Sequence, residues 1–192
     1  PDRKALFDSG SHIGTSVDLI VRAFFNDETM APENWTNEDG TPIMPVNEFN
    51  RLVEDLKKLK KSIEADGTEI LAAHTIVYDD ELGIAGELDL VTYNKKNNTL
   101  GILDVKTKRR GEKTNPLAAA TLDGKYKYRE RWQKQLSLYT ILMNNTHEGA
   151  DVESIGVLPI IVEYGDTGTV VLSTSEASLQ PIIPLELLDS VR

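Results

Sequence analysis

Cysteine is absent from this chain of 192 residues, histidine occurs only three times, and aromatic residues make up 6%. The absence of cysteine excludes disulfide bonds, thiol nucleophiles and zinc sites built on thiolates. No apolar run approaches the roughly 18 residues that a membrane-spanning helix needs, and no secretory signal peptide is visible. These absences favour a reducing, cytoplasmic (at most nucleoid-associated) protein that has no membrane partner.

The composition is otherwise that of an ordinary globular chain, with 40% hydrophobic and 27% charged residues. A chain of this length can bury a core of its own and falls within the usual size of one domain. We therefore expect residues 1–192 to form a single domain. Because Pro1 rather than Met stands first, the sequence is also compatible with excision from a longer chain.

Basic residues are outnumbered overall but are unevenly distributed. The chain has 21 Lys and Arg against 31 Asp and Glu, a formal net charge of −10, which at first disfavours a nucleic-acid partner. Ten of the basic residues nevertheless lie between Lys106 and Lys134, a window that contains three acids. A polyanion responds to the local field more than to the total charge. The window therefore indicates a polyanion-binding surface, and a solvated basic helix is the simpler alternative.

Hydrophobic periodicity predicts a mixed α/β domain. Apolar residues recur at helical spacing over 11–26, 46–65 and 126–144. Strand-like segments cover 69–78, 85–93, 100–107, 154–164 and 168–174, and loop-like composition covers 27–45 and 111–124. This order of helices and strands favours a single sheet that carries helices.

The strand predicted over 100–107 ends in charged residues. Asp104 and Lys106 follow Ile102 at intervals of two, so alternation along a strand places the three side chains on one face. The pattern Asp-x-Lys is common by itself, since it occurs four times in this chain. Only at Asp104 does it end an apolar strand, and this context makes the pair a candidate site.

The preceding strand brings further acids to the same place. Residues 94–99 form a polar turn, and a hairpin symmetric about this turn places Asp89 opposite Asp104 and Glu87 opposite Lys106. Two facing carboxylates repel each other unless a cation neutralises them, and Mg²⁺ is commonly bound by one or two carboxylates. The alternative is a surface hairpin with a Glu87–Lys106 ion pair and an incidental pair of acids.

The helix predicted over 126–144 adds polar residues to this region. Arg131, Gln135 and Tyr139 recur at intervals of four, so they share one face of the helix. A glutamine and a tyrosine beside basic residues are suited to phosphate and base contacts. The neighbouring stripe, which begins at Trp132, is apolar and is typical of a core-facing side.

Three motifs in order resemble those of the PD-(D/E)XK nuclease superfamily, and most closely its RecB-like exonuclease branch. They are Gly86-x-x-Asp89, Asp104-x-Lys106 and Gln135-x-x-x-Tyr139. The resemblance covers roughly residues 10–175. It implies a restriction-endonuclease-like core, in which helices flank a mixed central sheet. It also implies metal-dependent hydrolysis of DNA phosphodiester bonds, by an exonuclease of DNA repair, recombination or the processing of phage and mobile-element DNA.

The resemblance also implies roles for individual residues. Asp89, Asp104 and Lys106 would be catalytic, and Lys106 would orient water or stabilise the reacting phosphate. Mg²⁺ or Mn²⁺ would be bound by four carboxylates and one backbone carbonyl: those of Asp89, Asp104, Asp18, Glu69 and Val105. Asp18 ends the segment Gly-Thr-Ser-Val-Asp at 14–18, where the branch has a metal-binding His. A carboxylate can also bind these metals.

DNA is the partner that the resemblance implies, single- or double-stranded, with a helicase or recombination protein as a second partner. The implied DNA contacts are basic and polar: Lys108, Arg109, Arg110, Arg131, Gln135 and Tyr139. Because Asp18 replaces a metal-binding His, a catalytically weak or inactive DNA-binding module on the same fold is the main alternative. A protein-interaction domain that uses the acidic remainder of the chain is another.

None of the three histidines receives a catalytic role. His12 lies near the start of the first predicted helix, and His147 lies in a loop. His74 lies inside a predicted strand, where a histidine satisfied in the core or at a sheet edge is more common than a ligand. We therefore expect His74 to be structural.

Overall fold

The computed structural model of the protein describes residues 3–109, 127–164, 170–172 and 183–186. Three helices are present in these ranges: α1 (Arg3–Phe25), α2 (Val46–Ala65) and α3 (Lys127–Thr146). The strands are β1 (Thr68–Asp79), β2 (Ile84–Asn94), β3 (Thr99–Arg109), β4 (Val152–Tyr164), β5 (Val170–Leu172) and β6 (Ile183–Leu185). A short 3₁₀ turn covers Pro32–Asn34. The loop predicted over 111–124 lies outside the described residues.

Most predicted elements are confirmed, because their apolar stripes are buried as the periodicity requires. Helix α2 has the predicted bounds; it follows Pro45 and is stopped near Gly67, whose φ of +78° suits glycine. Helix α1 begins at Arg3, well before the predicted start at residue 11. The apolar stripe begins later than the helix does, because helical backbone hydrogen bonds do not depend on an apolar face. Strand β6 was not predicted.

The sheet is mixed. Its strands follow the order β1-β2-β3-β4-β5, with β6 also paired to β4. Strands β1, β2 and β3 are antiparallel neighbours, and β4 runs parallel to β3. The chain between β3 and β4 contains α3, as a parallel connection requires a crossover. Strands β5 and β6 are short and pair with opposite ends of β4.

Helices cover both faces of the sheet, and each face has its own core. One core joins α1 and α2 to the sheet through residues such as Ile20, Leu52 and Leu103. The other joins α3 to the sheet through residues such as Leu136 and Ile102. Adjacent residues of β3 thus point into opposite cores, as strand alternation requires. The protein is therefore an α/β domain in which helices flank a mixed sheet, and this part of the predicted fold class is confirmed. None of the described helices combines the length and apolar character needed to cross a membrane.

Candidate active site

Strands β2 and β3 pair in the predicted register, but only over part of their length. The pairs run from Asn94–Thr99, through Val91–Ile102, to Leu90–Leu103. Beyond that point the backbone hydrogen bonds between the two strands stop. The side chain of Asp89 takes their place, because its Oδ2 accepts a hydrogen bond from the backbone N–H of Val105 at 2.6 Å. The two strands therefore part at Asp89, and a carboxylate occupies the place where they separate.

Strict alternation fails at this point of β2. Leu88 packs in the core beneath α3, whereas Leu90, two residues later, packs in the core beneath α1 and α2. The argument that Asp89 shares a face with its predicted opposite, Asp104, therefore does not hold. The alternative interpretation, a surface hairpin with a Glu87–Lys106 ion pair, is not what the described residues show either, since the carboxylate of Glu87 lies 2.7 Å from Nδ1 of His74.

A pocket of about 360 Å³ opens beside the separated strands. It is lined by residues of α1, β2 and β3: Gly14, Thr15, Asp18, Asp89, Val105, Lys106 and Thr107. Helix α1 approaches β3 closely here, since a Cβ atom on Gly14 would lie 3.2 Å from Oγ1 of Thr107. The absence of a side chain at Gly14 therefore relieves crowding between α1 and β3 at this point.

Asp104 lies behind this pocket and is paired with Lys106. Its residue is only 5% exposed, and its Oδ2 lies 2.6 Å from Nζ of Lys106. The angles of this contact are not those of a hydrogen bond, and within the described residues Oδ2 has no hydrogen-bond partner. Since a buried charge is costly unless it is compensated, the ion pair with Lys106 is what balances Asp104. Asp104 in turn holds the Lys106 ammonium at the wall of the pocket.

The pKa values of two carboxyl groups in the site, those of Asp18 and Asp89, are raised. Burial, and next the charge of Asp104, raise the pKa of Asp89 to about 7, although the Val105 N–H and Lys106 act against this shift. Burial also raises the pKa of Asp18, against the opposing effect of His74. Among the described residues, Lys106 and, near Asp18, Arg22 oppose these negative charges, and a cation bound between Asp18 and Asp89 would relieve the remaining excess.

His74 joins Asp18 and Asp89 in a compact group. One potential ligand atom from each of the three side chains lies within 4.8 Å of the other two. His74 stands between the β1–β2 pairs Ala73–Leu90 and Thr75–Leu88, which places it opposite Asp89. Its Nε2 lies 3.7 Å from Oδ2 of Asp18. The expectation that His74 is structural did not include this proximity to Asp18 and Asp89.

The sequence did contain a signal for His74. The symmetric-turn argument that paired β2 with β3 applies equally to the turn between β1 and β2. Counting back from Asp79 and forward from Ile84, which are paired, brings His74 opposite Asp89. The sequence-based site prediction pairs β2 with β3 but not with β1, and it therefore does not include His74.

Glu69, predicted as a metal ligand, lies elsewhere. It pairs across the strands with Tyr93, and its carboxylate lies 2.6 Å from Nζ of Lys95, beside the β2–β3 turn. It stands five positions before His74 along β1, about 16 Å at strand spacing. The structure therefore does not bring Glu69 to the pocket.

The predicted DNA-contacting residues are only partly described. Arg131 is exposed, and Gln135 donates from Nε2 to the hydroxyl of Tyr139 at 3.1 Å. The ring of Tyr139 packs directly on Gly86, where an added Cβ atom would lie 2.5 Å from its Cε1. This contact explains why a glycine stands three residues before Asp89. The side chains of Lys108 and Arg109, and the whole of Arg110, lie outside the described part of the chain.

The donor set of the pocket fits a divalent cation. Carboxylate oxygens suit Mg²⁺ and Mn²⁺, and an imidazole nitrogen suits transition metals. Val105, whose carbonyl was predicted as a ligand, lines the pocket, while its N–H is used by Asp89. No protein-family model matches the chain, and a search of curated proteins finds no match.

Proposed function

We propose that this protein is a metal-dependent deoxyribonuclease with a restriction-endonuclease-like core, of the PD-(D/E)XK superfamily and its RecB-like branch. One observation carries the proposal: Asp18, Asp89 and Lys106, from three separate elements, line a single pocket, with Asp104 paired to the lysine behind it. A lysine and several carboxylates around one opening are the groups that phosphodiester hydrolysis requires.

Asp18 and Asp89, which line the pocket, are the carboxylates that would hold Mg²⁺ or Mn²⁺, and Asp104 would act through its ion pair with Lys106. Such an ion lowers the pKa of water and offsets the charge of the phosphate. The part played by the chain itself is clearest at Lys106, whose Nζ is fixed by Asp104 and reaches the pocket. From there an ammonium group can donate hydrogen bonds to a phosphate oxygen and stabilise the negative charge that develops during hydrolysis.

DNA is the proposed substrate because of the charge distribution along the chain. The basic window that begins at Lys106 starts at the pocket itself and continues directly after it. A phosphate backbone that lies along this window would bring one phosphodiester to Lys106. The acidic remainder of the chain would repel DNA elsewhere and so favour this single approach.

The test is cleavage of end-labelled single- and double-stranded DNA during titration with Mg²⁺ or Mn²⁺, with RNA of the same sequence as a second substrate. We expect cleavage of DNA that EDTA abolishes. Lys106→Met should lower the rate by at least about 100-fold, since removal of one group that stabilises transition-state charge commonly costs this much. Lys61→Met, on the exposed side of α2, is the matched control and should leave the rate unchanged.

Two results would contradict the proposal. DNA binding that persists in EDTA without cleavage in either metal would identify an inactive DNA-binding module. DNA affinity that is absent at low salt would exclude DNA as the partner and favour a protein-interaction domain. A circular dichroism spectrum of each variant shows that a loss of activity is not a loss of folding.

A further inference from the structure

We propose that His74 is a metal ligand of the pocket, held in place by Glu87, and that it makes the site selective for Mn²⁺ over Mg²⁺. The inference rests on the proposed function for the identity of the site as a metal centre. It goes beyond that function because it assigns a nitrogen ligand and a positioning residue.

The backbone conformation at His74 is the first observation. His74 has a φ of +56° in the interior of β1, a conformation that non-glycine residues rarely adopt. The change turns its side chain toward Asp89 and Asp18 instead of leaving it in the ordinary alternation of the strand. Such conformations persist where the surroundings enforce them, and they concentrate at functional sites. The side chain of His74 is only 7% exposed, so the imidazole is enclosed beside the pocket rather than solvated.

The second observation is the hydrogen bond at the other ring nitrogen. Oε1 of Glu87 lies 2.7 Å from Nδ1 of His74, so an ionised carboxylate, which can only accept, requires Nδ1–H as the donor of this hydrogen bond. Glu87 is itself close to Arg22, at 3.7 Å. When Nδ1 carries the proton, the lone pair of the neutral ring is at Nε2. A carboxylate that fixes the tautomer in this way is the usual companion of a metal-binding histidine.

The third observation is what Nε2 meets. It lies 3.7 Å from Oδ2 of Asp18, which is longer than a hydrogen bond, and two electron-pair donors therefore face each other. Atoms that share one ion are about 3–4 Å apart, because each metal–ligand bond is about 2.0–2.2 Å long. The group formed with Asp89 lies within 4.8 Å, so an ion would require only a small contraction. The competing interpretation is a protonated His74 that forms ion pairs with Glu87 and Asp18.

Selectivity follows from the type of donor. Mg²⁺ prefers oxygen ligands and retains several waters. Mn²⁺ also favours oxygen ligands, but as a first-row transition metal it accepts an imidazole nitrogen more readily than Mg²⁺ does. Removal of His74 should therefore weaken Mn²⁺ binding much more than Mg²⁺ binding. Removal of Glu87 should act in the same direction but less strongly, because it acts through the imidazole.

The experiment measures metal binding by the DNA-free protein, with calorimetry for Mn²⁺ and Mg²⁺ and visible absorption of Co²⁺ as a probe of nitrogen ligation. His74→Asn is the informative variant, because asparagine tolerates a positive φ better than most residues. We expect a loss of Mn²⁺ affinity of at least about tenfold, a smaller change for Mg²⁺, and a weaker Co²⁺ absorption. His147→Asn, in the exposed segment after α3, should change none of these.

Glu87→Ala and Glu87→Gln test the positioning role. Glutamine retains an oxygen that can accept a hydrogen bond from Nδ1–H. It should therefore recover part of the Mn²⁺ affinity that is lost in the alanine variant. A merely structural role would lower the free energy of unfolding without changing the ratio of Mn²⁺ to Mg²⁺ affinity. The urea denaturation midpoint of each metal-free variant separates the two effects.

Unchanged Mn²⁺ affinity in His74→Asn, or equal losses for Mn²⁺ and Mg²⁺, would overturn the inference and leave His74 as an ion-paired imidazolium. Absence of Mn²⁺ binding by the unaltered protein would overturn it as well. The two proposals fail separately. His74-dependent Mn²⁺ binding without DNA cleavage would refute only the nuclease, and DNA cleavage with unaltered metal affinity in His74→Asn would refute only the nitrogen ligand.

Discussion

The charge of Asp89 should destabilise the metal-free protein at neutral and alkaline pH, and Asp89→Asn should remove this penalty. Burial and the charge of Asp104 raise the pKa of Asp89 to about 7 from an ordinary value of 3.8. A difference of about three pKa units corresponds to about 4 kcal/mol in the free energy of unfolding, at about 1.36 kcal/mol per unit. Asparagine is the suitable replacement because its amide oxygen can still accept the Val105 N–H.

The sign follows from the direction of the shift. Because the pKa of Asp89 is higher in the folded than in the unfolded state, the unfolded chain releases this proton at a lower pH. The free energy of unfolding therefore falls as the pH rises from about 4 to about 7, and the penalty is complete at pH 8. We expect the free energy of unfolding of Asp89→Asn to exceed that of the unaltered protein by up to about 4 kcal/mol at pH 8. Near pH 4 the two free energies should be the same.

Urea denaturation in EDTA at pH 4, 6 and 8 measures this difference. Asp79→Asn is the matched control of opposite sign. Asp79 accepts hydrogen bonds from Leu82 N–H and Asn145, which hold its pKa below the ordinary value. Its ionised form thus supports the fold above that pKa, and Asp79→Asn should lower stability at pH 8.

A second arm adds the cation. Mn²⁺ at about 100 times its dissociation constant should stabilise the unaltered protein by about 2.7 kcal/mol and Asp89→Asn by much less, since a ligand has been lost. The reasoning would be refuted if Asp89→Asn were equally or less stable than the unaltered protein at pH 8 in EDTA. Such a result would mean that Asp89 is ionised without cost in the folded state.

Three further predictions concern separate parts of the molecule. Gly86→Ala should lower the free energy of unfolding by about 1–3 kcal/mol in urea, because the added methyl group meets the ring of Tyr139, and the loss should shrink in a Tyr139→Ala background. Asp18→Ala should lower the Mn²⁺ affinity measured by calorimetry. Glu69→Ala, which breaks the contact with Lys95, should leave it unchanged, and equal losses in the two variants would contradict the placement of the metal site at Asp18. If the basic window binds phosphates, changing Arg109 and Arg110 to Ala should flatten the plot of log affinity for DNA against log salt by roughly 0.7–0.9 per lost contact, and an unchanged slope would show a solvated surface.

Much of the fold could be predicted because it depends on apolar periodicity. The apolar stripe of α2 is buried as predicted, since a helix on a layered domain needs one buried face, and the apolar residues of β3 are buried because helices cover both faces of the sheet. The register of the β2–β3 hairpin was also predictable, because a short polar turn leaves few symmetric pairings. Strand β6 was not predictable from periodicity, since three residues are too few to display it.

The candidate site departs from periodicity, and for this reason it was predicted only in part. Asp89 lies where Leu88 and Leu90 enter opposite cores, and His74 has a left-handed backbone in the middle of a strand. Both irregularities bring polar side chains together at Asp18, where strict alternation along the strands would have separated them. Sequence patterns identify which residues carry the chemistry, but the exact direction of each side chain depends on these local exceptions.

The contact between Gly86 and Tyr139 shows how two separate sequence motifs form one structural unit. The tyrosine ring occupies the space that a side chain at residue 86 would fill, and Gln135 fixes the tyrosine hydroxyl from one turn earlier in α3. Three residues after Gly86, β2 parts from β3, and the carboxylate of Asp89 enters the gap. Packing from α3 on one face thus supports the strand at the point where it exposes its acid toward the pocket beside α1. The glutamine and tyrosine therefore have a structural role beside the glycine that is independent of any contact with DNA.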